Sequence, residues 1–200
     1  MINIAVFISG RGSNFKAINE SIKNNYINNG KIVLLISNNE KALGLKYAYE
    51  NKIQTKILSK HLAKDQRDNE ILHTLKEHNI HLVCLAGYMS IIGKSIVNTY
   101  HNRIMNIHPS LLPSFPGLNA QKQALDYGVK ITGCTLHFVD HLVDHGPIIL
   151  QHAVHVEDSD DVTSLSDRIL KYEHIIYPKG IKLFTENKLI VKGRKVYIKQ

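Results

Sequence analysis

Short apolar runs alternate with amphipathic stretches along the first half of this 200-residue chain. The strand-length apolar runs occupy residues 2–9, 31–37, 55–58 and 81–87. Stretches with apolar residues at helical spacing lie between or after them, at 14–25, 42–51 and 65–78. The run 81–87 (HLVCLAG) is apolar at consecutive positions, which is typical of a strand buried on both faces of a parallel sheet. The alternation predicts βαβ crossovers.

The second half of the chain has a different pattern. Its predicted strands are 103–107, 132–139 and 147–156, and its predicted terminal hairpin is 188–199. A Pro- and Gly-rich loop is expected from His108 to Gly117, and a long helix over 163–185. We therefore predict one α/β domain with a Rossmann-like, mostly parallel sheet, helices on both faces and a mixed C-terminal part.

Composition supports a globular chain, because 44% of its residues are hydrophobic and 21% are charged. Cys84 and Cys134 lie in apolar runs and are predicted to be reduced core residues of a cytoplasmic protein. No apolar run approaches the roughly 20 residues that a transmembrane helix needs. The N-terminus also lacks the basic segment of a signal peptide. We therefore expect a cytoplasmic location and no membrane partner.

The formal net charge of +8 favours anionic partners, either nucleic acid or a small phosphorylated substrate. Basic residues are scattered singly, except for a C-terminal basic cluster of Lys188, Lys192, Arg194, Lys195 and Lys199. No alternation of basic and aromatic residues is suited to stacking bases. We expect no nucleic-acid partner. A basic binding module for nucleic acid remains the alternative, and a solvated surface is the simplest interpretation of the cluster.

A glycine-rich turn, ISGRGSNFKAI (8–18), joins the first predicted strand to the first predicted helix. Glycines let backbone N–H groups approach an anion closely, and the helix N-terminus adds partial positive charge. Ser13 is a suitable N-cap for this helix. The turn lacks the last glycine of GxGxxG and the lysine of a P-loop. A monophosphate is therefore favoured over a dinucleotide, with an ordinary capped turn as the structural alternative.

Asn106 and His108 stand at the carboxyl end of a predicted parallel strand, in NIHPSLLPSFPG (106–117). Open α/β sheets place their sites at this edge, and residues i and i+2 of a strand point the same way. An amide and an imidazole could then converge on one oxygen, as formyl or acyl transfer requires. A structural histidine beside a proline-rich loop is the alternative.

The segment HFVDHLVDHGP (137–147) concentrates imidazoles and carboxylates, at His137, Asp140, His141, Asp144 and His145. Histidines at every fourth position would suit a metal site on a helix. The flanking strands and the Gly146-Pro147 pair instead favour a loop. The other interpretation is a single aspartate beside His108 that favours the charged form of that ring.

Together these segments resemble the phosphoribosylglycinamide formyltransferase family. The matching blocks, in order, are ISGRGSN, LAGYM, NIHPSLLPSFPG, TGCTLHFVD, VDHGPIILQ and EHIIYP, and they extend from about residue 2 to about residue 190. NIHPSLLP is shared by folate-dependent formyltransferases in general. The GSN loop, the EHxIYP helix and the short chain are those of the glycinamide ribonucleotide enzymes. The resemblance implies a formyltransferase domain over 1–200 that acts in de novo purine biosynthesis.

The resemblance also implies roles for individual residues. Asn106 and protonated His108 would stabilise the oxyanion, while Asp144 keeps His108 charged and helps to move the proton of the attacking amine. The ribonucleotide would be bound by Gly12, Ser13, Asn14 and Glu173, the first three at its phosphate. The co-substrate 10-formyltetrahydrofolate would be bound by Lys64, Met89, Ser90, Ile91, Ile92, Asn106, Asp140, His141, Leu142, Val143 and Asp144. No metal is expected, the partners are small molecules, and the chain is expected to be a monomer or a weak homodimer.

The sequence departs from the family pattern at a few positions. Ser90 and Lys64 stand where the family often has arginine, with Arg67 as an alternative to Lys64, and the loop after Pro116-Gly117 reads Asn-Ala-Gln (119–121). Other folate-dependent formyltransferases are the nearest alternatives. The methionyl-tRNA enzyme is expected to carry a further C-terminal β-barrel, and formyltetrahydrofolate hydrolase a further N-terminal domain, so the glycinamide ribonucleotide enzyme is favoured.

Overall fold

The fold is taken from a computed structural model that describes residues 1–59 and 61–199. Its elements are, in chain order, β1 (Ile2–Ile8), α1 (Ser13–Lys23), β2 (Gly30–Ser37), α2 (Leu43–Glu50), β3 (Gln54–Ile57), α3 (Lys64–Glu77), β4 (Leu82–Leu85), α4 (Lys94–Thr99), β5 (Ile104–His108), α5 (Ala120–Tyr127), β6 (Ile131–Phe138), β7 (Ile148–His155), α6 (Val162–Thr185), β8 (Leu189–Lys192) and β9 (Lys195–Ile198). The chain forms two compact units, Met1–Met105 and Asn106–Gln200. The prediction of one domain over 1–200 stays a prediction.

The first unit is built on parallel strands in the order β3-β2-β1-β4. β1 pairs with both β2 and β4, and the side chains of Ile4–Ile8 are fully buried. Such burial requires apolar residues at successive positions, which is the pattern of this run. Because the strands are parallel, their carboxyl ends lie at one edge, where the glycine-rich turn after β1 begins.

The second unit has mixed pairing. β6 is antiparallel to β7, β8 is antiparallel to β9, and Ile148 of β7 pairs in parallel with Lys195 of β9. α6 begins at a capping box, in which Ser164 N donates to Asp161 Oδ1 at 2.8 Å and Asp161 N donates to Ser164 Oγ at 3.1 Å. No helix of residues 1–59 and 61–199 is long and apolar enough to cross a membrane.

The predicted α/β class with a mostly parallel sheet and a mixed C-terminal part is confirmed. The predicted strands and helices are present, with ends within three residues of the predicted ones. α4 and α5, which are six and eight residues long, were not predicted from the sequence. Neither has a side-chain N-cap, and both are too short for a helical period to stand out.

β6 and β7 approach closely at Gly133, because a Cβ there would lie 1.9 Å from the carbonyl oxygen of His152. Glycine in a strand is typical of such a close backbone approach. We therefore expect Gly133→Ala to lower the free energy of unfolding by about 1–3 kcal/mol, as overpacking does. Urea unfolding measures this change.

Gly10→Ala is the matched control, because a Cβ at Gly10 meets no atom within 4 Å. Its unfolding free energy should stay within about 0.5 kcal/mol of the unsubstituted protein. Equal stability of the two variants would contradict the close approach of β6 and β7 at Gly133.

Candidate active site

Three predicted side chains meet at the end of β5. Nδ1 of His108 lies 3.2 Å from Oδ2 of Asp144, and Nδ2 of Asn106 donates to Oδ1 of the same carboxylate at 3.4 Å. The His108 and Asp144 side chains are only 5% and 12% exposed. The i and i+2 positions of the strand thus bring the amide and the imidazole to the same carboxylate, one on each oxygen.

Asp144 lies in a loop of residues 139–147, here named the Asp144 loop, which joins β6 to β7. Its φ of 51° is left-handed, a conformation that aspartate tolerates better than most residues. The amide of Gly117 donates to Oδ2 of Asp144 at 2.8 Å. A Cβ on Gly146 would lie 1.9 Å from the carbonyl oxygen of Phe138, so the loop closes tightly where it returns to the sheet. The backbone therefore fixes the direction of the Asp144 carboxylate.

His137 joins the cluster from β6, and the sequence analysis gave it no role beyond a metal alternative. Its Nδ1 donates to the carbonyl of Phe138 at 2.8 Å, and its Nε2 accepts from Nδ2 of Asn106 at 3.2 Å. Burial lowers the pKa of His137, which favours the neutral ring that this bonding needs. The available signal was a polar residue between apolar neighbours, Leu136 and Phe138, in a strand-length run.

The second ring nitrogen of His108 is also bonded, since Nε2 donates to the carbonyl oxygen of Phe115 at 2.8 Å. Carbonyl and carboxylate oxygens only accept, so both bonds of this ring form together only when it carries both protons. The Asn106 amide likewise donates to His137 and Asp144. For either side chain to donate to a substrate oxyanion, it must exchange one of these internal bonds.

The three histidines that suggested a metal site are not on a helix. His137 is buried in β6, whereas His141 and His145 belong to the Asp144 loop. His145 bonds Asp140 through Nδ1 at 2.8 Å. Among the side chains that the structure describes, no group of three or more His, Cys, Asp or Glu residues is arranged to hold a metal ion.

The predicted phosphate loop lies in the first unit and differs in one detail from expectation. The prediction of Ser13 as the N-cap is wrong: Gly12 is the N-cap, with φ 73° and no side-chain cap, and Ser13 is the first helical residue. A glycine suits this position because a Cβ at Gly12 would lie only 3.1 Å from the Cα of Gly44. The amide of Gly44 donates to the carbonyl of Gly10 at 3.2 Å, so the start of α2 supports the loop. Asn14 is buried in the first turn of α1.

The predicted folate residues of the first unit follow β4 or begin α3. Met89 and Ile91 are 70% and 68% exposed, so their apolar side chains are accessible to a ligand. The amide of Met89 donates to Ser9 Oγ at 2.7 Å, and Ser90 Oγ accepts from Asn38 at 2.8 Å. The other predicted folate residues of this unit are Ile92, which is half-buried, and Lys64, which is exposed.

The predicted ligand-binding residues of the second unit lie in the Asp144 loop and in α6. In the loop, Leu142 and Val143 are 60% and 59% exposed, and Asp140 and His141 stand beside them. Glu173, the predicted ribonucleotide contact, is buried in α6. The structure thus places the predicted catalytic residues together in one unit and the predicted phosphate loop in the other.

The sequence of this chain is similar to that of known formyl transferases. Residues 2–181 match the formyl transferase family model. Phosphoribosylglycinamide formyltransferase from Escherichia coli is 39% identical over 190 residues, which cover 94% of this chain and 89% of that protein. The human trifunctional purine biosynthetic protein adenosine-3 is 43% identical over 182 residues, or 90% of this chain, and the chain spans only 18% of its length.

Solved structures agree with the sequence match. The crystal structure of glycinamide ribonucleotide transformylase 1 from Symbiobacterium toebii superposes with a TM-score of 0.96 and 44% identity, covering 100% of this chain and 95% of that one. Family match, identity over nearly full-length relatives and shared fold all agree. The chain therefore belongs to the formyl transferase family, as a member of its phosphoribosylglycinamide formyltransferase group.

Proposed function

We propose that this chain transfers the formyl group of 10-formyltetrahydrofolate to the amine of glycinamide ribonucleotide, a step of de novo purine biosynthesis. The observation that carries the proposal is the convergence of Asn106 and His108 on the carboxylate of Asp144. Two polar donors beside a buried carboxylate suit a reaction that creates an oxyanion and releases a proton. The similarity to proteins named for this reaction supports the choice of substrates.

In this mechanism the amine attacks the formyl carbon, and a C–N bond forms while the carbonyl oxygen becomes an oxyanion. His108 then gives up its bond to the Phe115 carbonyl and donates the Nε2 proton toward the oxyanion. An anionic oxygen is a stronger acceptor than a neutral carbonyl, so this exchange favours the transition state over the ground state. The Asn106 amide likewise gives up its 3.4 Å bond to Asp144 and donates to the oxyanion.

Asp144 acts on both partners. Its carboxylate accepts from His108, which keeps the ring in the doubly protonated form that can donate from Nε2. It also accepts the proton that leaves the attacking amine, directly or through water. The oxyanion then reforms the carbonyl, the C–N bond to the folate breaks, and the folate nitrogen takes the proton that Asp144 accepted, which gives tetrahydrofolate and the formylated amide and leaves Asp144 ionised again. The folate is a co-substrate, and no step is assigned to a metal.

The binding residues of the proposal are those of the sequence analysis. Gly12, Ser13 and Asn14 bind the phosphate at the N-terminus of α1, where backbone N–H groups and the helix dipole favour an anion. Glu173 contacts the ribose hydroxyls. The folate binds to the segment after β4, Met89 to Ile92, to the Asp144 loop, and to Lys64 for its anionic tail. A cytoplasmic location and a monomer or weak homodimer remain predictions.

The acceptor specificity is the direct test of this function. Purified protein should convert 10-formyltetrahydrofolate to tetrahydrofolate only when glycinamide ribonucleotide is present, as followed by folate absorbance. Methionyl-tRNA, an amino-sugar nucleotide and water alone should give little turnover. Folate consumed without any amine would favour a hydrolase, and formylated tRNA would favour the tRNA enzyme. If no acceptor supports turnover, salt-titrated nucleic-acid binding tests the basic-module alternative.

Removing the imidazole tests the catalytic role of His108. We expect His108→Ala to lower kcat by about 100- to 1000-fold, since a preorganised oxyanion donor is lost. Asp144→Asn should also lower kcat, and the double variant should lose far less than the product of the two losses because both residues act on one transition state. The matched control is His155→Ala, an exposed histidine of β7. Near-normal turnover in a folded His108→Ala protein would remove this residue from the mechanism.

Gly12→Val tests the phosphate loop. Gly12 has a left-handed φ of 73° and stands against Gly44, so a branched side chain must displace the loop backbone. We expect the KM for glycinamide ribonucleotide to rise at least tenfold, while the Kd for the folate is retained. The folate Kd serves as the internal control for correct folding. An unchanged ribonucleotide KM would place the phosphate elsewhere.

A further inference from the structure

Arg194 stands next to the turn of the β8–β9 hairpin and contacts the Asp144 loop. Its Nη2 donates to the backbone carbonyl of His145 at 2.7 Å. Its Nη1 lies 3.1 Å from Nδ1 and 3.0 Å from Nε2 of the His145 ring. One guanidinium thus holds both the backbone and the side chain of the residue that directly follows Asp144.

The contact continues into the other end of the loop. Nδ1 of His145 donates to Oδ2 of Asp140 at 2.8 Å, and Oδ1 of Asp140 accepts from the amide of Leu142 at 2.9 Å. Because Asp140 accepts from Nδ1, the lone pair left for Arg194 is on Nε2. A guanidinium, an imidazole and a carboxylate therefore form one chain that joins residue 145 to residue 140.

Hydrogen bonding and nearby positive charge also act on Asp140. Burial alone would raise the pKa of its carboxyl, but hydrogen bonds from His145 and Leu142 and the charge of Arg194 lower it below its usual value. The carboxylate form is the one that can accept both bonds. Asp140 is therefore able to accept both bonds at neutral pH.

The position of Asp144 depends on the bonds that join residue 145 to residue 140. Asp144 precedes His145 directly and adopts the left-handed φ of 51°, a conformation that the surrounding structure must hold in place. A movement of the His145 peptide would swing the carboxylate away from His108, which it meets at 3.2 Å. Displacements of about 1 Å in a reacting group can lower rates by roughly 100-fold.

We propose that Arg194 is a positioning residue, which holds the Asp144 loop in the arrangement where Asp144 meets His108. The inference rests on the proposed function, since it assigns Arg194 to the same reaction. The family model ends at residue 181, so Arg194 lies beyond the stretch that it matches. One member of the C-terminal basic cluster thus acts on the site rather than on a polyanion.

The experiment compares Arg194→Ala with Lys192→Ala. Lys192 lies on the same hairpin and carries the same charge, but its ammonium stands 6.0 Å from the centre of the Tyr197 ring, a contact within the hairpin. We expect Arg194→Ala to lower kcat about tenfold, with the ribonucleotide KM within about twofold, because the phosphate site lies elsewhere in the chain. Lys192→Ala should keep the kcat of the unsubstituted protein.

A second measurement separates this role from general stability and does not require activity. The backbone NMR order parameter of Leu142 should fall toward about 0.6 in Arg194→Ala, and it should not change in Lys192→Ala. The urea midpoint should hardly change, since exposed ion pairs contribute little to stability. His145→Ala combined with Arg194→Ala should lose no more kcat than the larger single loss.

Normal kcat and normal loop order in Arg194→Ala would overturn the proposal. Equal losses in Lys192→Ala would also overturn it, because charge rather than contact would then be responsible. If the losses of kcat in His145→Ala and Arg194→Ala were additive in the double variant, the proposal would also be overturned. If the unsubstituted protein formylates no acceptor, the proposed function fails, whereas the NMR comparison still decides whether Arg194 orders the loop.

Discussion

The carboxylate of Asp144 accepts bonds from groups that arrive on separate segments of the second unit. Oδ2 receives the His108 ring and the Gly117 amide, while Oδ1 receives the Asn106 amide. A carboxylate that is 12% exposed is stable in this setting only because donors surround it. Its partners come from β5 and from the proline-rich loop, so the end of the sheet, the loop and the Asp144 loop must all be in place for any of these bonds to form.

The two buried histidines near this carboxylate have hydrogen-bond partners that match different chemical forms of the ring. His137 has a carbonyl acceptor at Nδ1 and an amide donor at Nε2, which matches a neutral ring. His108 has acceptors at both nitrogens, which matches a protonated ring. Two charged imidazoles side by side would repel each other, and the burial that lowers the pKa of His137 avoids this. The His137 ring thereby orients the Asn106 amide, which donates to its Nε2 at 3.2 Å.

Parts of this arrangement were predictable from the sequence because they rest on local pattern. The two-residue spacing of Asn106 and His108 on a strand and their place at its carboxyl end predict that their side chains converge. The strands and long helices follow from the period of apolar residues. The N-cap at Gly12 was not predicted, since the approach of Gly44 that requires a glycine there comes from a distant helix.

The remaining partners of the site could not be predicted, because tertiary contacts create them. The Phe115 carbonyl meets His108 across seven positions of an irregular loop, and a backbone acceptor leaves no trace in residue type. Arg194 meets His145 across 49 positions, and on sequence alone it is one basic residue in a cluster. Because an exposed charged contact adds little to stability, we attribute its role to the position in which it holds the Asp144 loop. Local pattern thus predicts which polar groups converge, while the contacts that orient them depend on how the Asp144 loop and the hairpin fold against each other.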